Sequence, residues 1–116
     1  MSALATYNPT ARIQITFAQD TPAGVFVKAD GTISGAGTLA IGVTENAYNS
    51  GDVGSIIISE TALIKSAGVM AQGDLVMSDA SGYGVTAVAG NYANGILLKS
   101  AVANEYVEIL LKTVKI

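Results

Sequence analysis

Apolar residues in this chain recur at every second position, in short runs broken by turn residues, and almost nowhere at helical spacing. A pattern of period two puts alternate side chains on opposite faces of an extended strand. It commits the chain to sheets. Residues 13–17 set Ile13, Ile15 and Phe17 against Gln14 and Thr16, and residues 38–44 set Leu39, Ile41 and Val43 on one face. Residues 83–88 do the same with Tyr83, Val85 and Ala87. Near the end Val107, Ile109 and Leu111 alternate with Tyr106, Glu108 and Lys112.

Three further runs are apolar on both faces: Ile56-Ile57-Ile58, Leu75-Val76-Met77 and Ile96-Leu97-Leu98. A strand covered on both sides belongs in a sandwich, a barrel wall or a subunit contact. Turn signals separate the runs at Asp30-Gly31, Gly51-Asp52, Gly73-Asp74, Ser81-Gly82, Asn94-Gly95 and Asn104-Glu105. Short strands with turns every eight to twelve residues predict an all-β fold, a small antiparallel sandwich or barrel-like domain. Residues 59–68 are ambiguous. Ser59 could cap a short helix ending at Gly68, but a strand continuing from Ile56–Ile58 and a turn over Val69–Gln72 fit better.

The 116 residues make one domain's worth of chain, divided here into an N-terminal arm or edge strand, 1–19, and a β-domain, 20–116. Residues 1–11 carry little pattern beyond the loop signal Tyr7-Asn8-Pro9-Thr10. Extended, they would reach roughly 35 Å, as a free tail or as an arm laid on a neighbour. They have neither the basic start nor the apolar stretch of a secretion signal, and no run nears the ~20 residues of a membrane helix.

Chemistry is poorly provided for. With no Cys and no His, disulfides, thiolate metal sites and the commonest general base are excluded. No Ser precedes a Lys by three residues, so a Ser–Lys nucleophile has no signature. The carboxylates are Asp20, Asp30, Glu45, Asp52, Glu60, Asp74, Asp79, Glu105 and Glu108. Most lie beside Gly or Asn, where Asp is favoured for its bonds to turn backbone, and a hydrolase built on two of them is the weakest reading. Gly35-Ala36-Gly37-Thr38-Leu39-Ala40 formally matches the relaxed dinucleotide fingerprint, but an alternating strand follows where the motif needs a helix. No calcium loop is present in the pattern. No cofactor is expected, and the chain does not read as an enzyme.

Binding is better supported. Charged residues are 13% of the chain, about half the usual ~25%, so apolar surface is expected to face outward and mark interfaces. The net charge of −3 and the scattered Lys28, Lys65, Lys99, Lys112 and Lys115 argue against a nucleic acid partner. A carbohydrate- or ligand-binding module is the alternative. There is no Trp, and Tyr7, Tyr48, Tyr83, Tyr92 and Tyr106 show no platform spacing, although Tyr48 and Tyr92 fall in predicted loops.

The order of features adds more than any one motif. Ala23-Gly24-Val25-Phe26-Val27-Lys28 leads through Asp30-Gly31 to Leu39-Ala40-Ile41-Gly42-Val43, then Gly51-Asp52 and the strand 54–59. Ala71-Gln72-Gly73-Asp74-Leu75-Val76-Met77-Ser78, Gly95-Ile96-Leu97-Leu98 and a last strand, 106–111, complete it. Over residues 20–112 this resembles the bacteriophage cement (capsid decoration) proteins. The resemblance implies a protein made in the bacterial host cytoplasm and carried on the outer surface of the virion. There it would join major capsid subunits as a homotrimer, with no membrane partner. It supplies no catalytic residues. Contact residues follow from the pattern instead: Ile57 and Leu97, in the runs apolar on both faces, as homotypic interface or as core, and Tyr7 and Arg12 from the N-terminal segment.

Overall fold

The computed structural model describes residues 11–116, which consist of strands and turns. The strands are β1 (Arg12–Thr16), β2 (Phe26–Val27), β3 (Gly42–Thr44), β4 (Val53–Ile57), β5 (Thr61–Lys65), β6 (Leu75–Ser78), β7 (Gly84–Thr86), β8 (Tyr92–Leu97) and β9 (Tyr106–Lys115). They form a four-stranded antiparallel sheet, β1-β4-β3-β2, and a five-stranded one, β5-β9-β8-β6-β7. Among the described residues no helix is long and apolar enough to cross a membrane.

Strict alternation lets one sheet serve two cores. From the first sheet Phe26, Val43 and Ile57 pack on Ile64, Val76, Leu97 and Ile109 of the second. Their neighbours Val27 and Ile56 point the other way, into a smaller cluster with Phe17 and Val25. That cluster is roofed by side chains from loops and strand ends, including Ile33, Ile41, Tyr48 and Tyr83. The rings of Phe17 and Tyr48 stack at 4.5 Å. Tyr48 lies so close over Gly54 that any side chain there would collide with its ring. Each fully buried large apolar side chain contributes about 1.5–3 kcal/mol, so the central contact between the sheets dominates stability. The result is a sandwich with a trace of barrel, because Ser66 makes a parallel bridge to Gly84 at the start of β7.

The two sheets are built alike, which the sequence reading does not anticipate. In the first, Arg12 pairs with Ile57 and Thr16 with Val53. In the second, Thr61 pairs with Leu110 and Lys65 with Tyr106. The next pairs match too: Val43 with Ile57, as Ile96 with Leu110, and Phe26 with Val43, as Leu75 with Ile96. The lone bridge Thr21–Tyr48 has its double in Met70–Ala101. Even the turns correspond. Gly51 and Asn104 both take positive φ, and the carboxylates that follow, Asp52 and Glu105, accept the N–H groups of Asn49 and Val102 at 2.9 and 3.1 Å. One unit is thus repeated, the second enlarged by β7.

Four local expectations are corrected. The strand expected over 38–44 is confined to Gly42–Thr44. The side chain of Asn94 claims the segment before it, accepting the N–H of Ala40 and donating to the carbonyl of Thr38, both at 3.1 Å. Asn94-Gly95 is not a turn but an irregularity inside β8, where the register to β9 shifts. The strand expected to run on from Ile58 is broken at Glu60, whose φ of 66° turns the chain into β5 of the other sheet. Ile13 faces with Ile15 as expected but is 38% exposed, because β1 lies at a sheet edge.

Candidate interaction surface

The residues proposed from sequence separate into three groups. Ile57 and Leu97 are 7% and 1% exposed in the central cluster. β4 is covered on both faces within one chain, whereas β8 turns Leu97 inward and leaves the half-buried Ile96 on the outer face of its sheet; both Ile57 and Leu97 pack in the core. Tyr7 lies outside the described residues. Arg12 stands on the edge strand β1, where Nε and Nη2 donate to Oε1 and Oε2 of Glu45 at 2.7 and 3.0 Å. The guanidinium holds the Glu45 carboxyl below its usual range, and Glu45 raises Arg12 in return. This fork pins the start of the described chain to the end of β3.

Most of the remaining carboxylates serve turns and loops. Asp30 accepts the hydroxyl and the N–H of Thr32, which lower its pKa, and Asp79 accepts the N–H groups of Ser81 and Tyr83. Asp74 accepts the N–H of Ala71 at 3.0 Å, and Asp20 that of Ser50 at 2.9 Å. Among the described residues no group of three or more acidic, His or Cys side chains could hold a metal ion. Residues 35–40 form a loop with no helix behind it, so the glycine pattern there builds no phosphate site. Tyr48 is taken up by its stack on Phe17, and Lys115 sits 5.5 Å from the ring centre of Tyr92.

What the molecule does offer is exposed apolar surface, and it lies mostly on the second unit. Leu63 and Tyr106 are each 56% exposed, Val102 is 55% and Val69 80%. Leu63 and Tyr106 stand on the outer face of β5 and β9, opposite in direction to the buried Ala62, Ile64, Val107 and Ile109. Across the strands Leu110 adjoins Ile96, and Ile96 adjoins Leu75, on that same face. Around the β5 edge the surface runs into a cleft of about 520 Å³ between the units. Ile57 and Ala62 line it, with the Arg12–Glu45 pair to one side and Leu63 and Tyr106 to the other. Tyr106 is held in place by Gly24, where an added Cβ would come within 2.7 Å of its ring. Sequence reasoning passed over this surface. Its signal was the apolar Tyr106 and Leu110 on the face of the last strand opposite Val107 and Ile109.

A family model described as phage cement protein matches residues 7–113. No curated protein matches the chain. Among solved structures, the chain is similar to one described as the head fiber gp8.5 N base of bacteriophage phi29, with a TM-score of 0.73 over 89% of this chain and 94% of that one. At 12% identity the likeness is one of fold.

Proposed function

The chain belongs to the phage cement protein family, whose members are structural proteins of the phage capsid, and on that premise we propose that it decorates the outer surface of the head and ties neighbouring major capsid subunits together. The observation that carries this reading is the concentration of exposed apolar side chains, Leu63, Val69, Val102 and Tyr106, on one unit of a chain most of whose carboxylates are spent on turns and loops. Surface of this kind is suited to burial against protein.

The mechanism is additive. Packaged DNA pushes capsid subunits apart, and a cement protein adds buried area across their seams. One interface of ~1,600 Å² can be weak or tight, depending on how well its centre packs. Copies that bind at more than one point gain by effective concentration, which favours a multivalent form such as a homotrimer at the three-fold positions of the shell. The segment 2–11, with Tyr7, is proposed to reach onto the capsid or a neighbouring copy, its root fixed by the Arg12–Glu45 fork.

The test is the protein composition of purified particles, counted against the major capsid protein. A copy number near that of the capsid protein, with heads that open at lower temperature once the protein is stripped, is the expected result. Absence from particles overturns the reading. Deleting residues 2–11 should weaken head binding and leave the thermal transition of the isolated protein in place; unchanged binding removes the arm from the mechanism.

A further inference from the structure

We propose that the outer face of the five-stranded sheet, centred on Leu63 and Leu110, is where copies of this chain dock on one another. The proposal deepens the cement reading by naming the surface that joins the copies, and it rests on that reading only for what the assembly is for.

The argument comes from the repeat. In the first unit the positions matching Leu110, Ile96 and Leu75 are Ile57, Val43 and Phe26. Those three are 7%, 0% and 0% exposed because the second sheet packs on them. The second unit keeps large apolar side chains at the same three positions, yet among the described residues no third sheet covers them: Leu75 and Ile96 are half-buried and Leu110 is 39% exposed. At the sheet edge the contrast is sharper. Exposed Gln14 of β1 corresponds to Leu63 of β5, also exposed. An edge facing water is normally blunted by polar residues. At the middle of the β5 edge, between Thr61 and Lys65, the second unit instead carries Leu63, continuous with the apolar Leu110, Ile96 and Leu75.

The occupant follows from what the repeat has already selected. On the equivalent face, the covering element is a sheet of this same chain. Charge agrees. The face carries Lys65 opposite Tyr106 and Glu108 opposite Leu63, with Lys99 and Glu105 beside Leu63 and Tyr106 at its rim, two charges of each sign. Lys65 rests near the rings of Tyr83 and Tyr106, and among the described residues neither it nor Glu108 is in an ion pair. Copies meeting through this face in a symmetric assembly can set Lys65 of one near Glu108 of another, with no like-charge excess. Closure agrees as well. At the far side of the stack the first sheet is roofed by Ile33, Ile41, Tyr48 and Tyr83. A head-to-tail stack therefore has nowhere to continue, and the contact closes on itself instead of running into a fibre.

The experiment is the mass of the purified protein by light scattering across a range of concentrations, for the native sequence and for Leu63→Lys, Leu110→Lys and Val53→Lys. Val53 is 63% exposed and is the first unit's counterpart of Tyr106, so it serves as the control. The native chain and Val53→Lys are expected to associate. Leu63→Lys and Leu110→Lys should run as folded monomers, with association weakened roughly thirtyfold or more, as for a central contact residue. The chain has no cysteine, so Leu63→Cys gives a second readout if the lysine variants fail to fold. It should be cross-linked to a covalent dimer by a short bismaleimide, and Val53→Cys should not. A native chain that stays monomeric, lysine variants that keep the native mass, or cross-linking equal at both positions overturns the proposal. Head binding separates the two readings. An associated native protein that ignores heads refutes the cement role alone, and a monomeric one that binds them refutes this contact alone.

Discussion

At the scale of single residues, two polar contacts fix how segments meet. The Arg12–Glu45 fork joins β1 to the end of β3. Because Arg12 depresses the Glu45 carboxyl below its unfolded value near 4.3, the pair adds stability above that pH and loses it as pH falls through the depressed value. Glu45→Gln should therefore lower the urea midpoint slightly at pH 7, and the difference should shrink toward zero in strong acid. The effect is small and salt-sensitive, since both groups are exposed. Asn94 is the opposite case. It is 3% exposed and bonds to Ala40 and Thr38 through both ends of its amide. Asn94→Ala leaves the buried N–H of Ala40 unpartnered, at about 1–3 kcal/mol, and frees the part-buried carbonyl of Thr38 at a smaller cost. Chemical denaturation should show a loss of that order.

At the scale of elements, β4 explains why runs such as Ile56-Ile57-Ile58 cannot be assigned from sequence. Ile56 goes to the smaller cluster and Ile57 to the central one. A strand between two cores and a strand between a core and a partner have the same apolar pattern, and only the packing tells them apart. Leu97 on β8 also packs in the central cluster, although its neighbour Ile96 lies on the outer face. Leu97→Ala should cost about 2–5 kcal/mol by leaving a cavity in the central contact. Thermal unfolding would register it as a large drop in midpoint, whereas a residue of a subunit contact would lower the association and spare the monomer. The last strand, β9, shows the converse. Its inner face, Val107 and Ile109, is buried as the alternation predicts, but its outer face carries Tyr106 and Leu110 as well as Glu108.

At the scale of the whole molecule, the repeat is the organising fact. Each unit folds a strand, a turn and a three-strand meander in the same register, and the units stack so that one covers the other. The first unit cannot stand alone, because Phe26, Val43 and Ile57 would face water. A fragment of residues 11–59 should be unfolded by circular dichroism, while the full chain melts in one transition with its shared core. A folded fragment would show that the central contact is dispensable.

Local sequence was enough for the fold class, the turns at Asp30-Gly31, Gly51-Asp52, Gly73-Asp74 and Asn104-Glu105, and the inner face of β9. These depend on local chemistry: period two, positive φ at Gly, and carboxylates that bond the N–H groups of their own turns. The resemblance to cement proteins was legible too, in the order of runs and turns. Where each doubly apolar strand sits, and which apolar face the described residues leave uncovered, depended on long-range packing. Asn94 stands beside Gly95 like a turn and is instead a buried strut, because its partners, Thr38 and Ala40, are distant in sequence. The repeat stayed hidden for a related reason. Its units share register and burial more than residue identity, since packing constrains the size and polarity of a side chain and seldom its exact type.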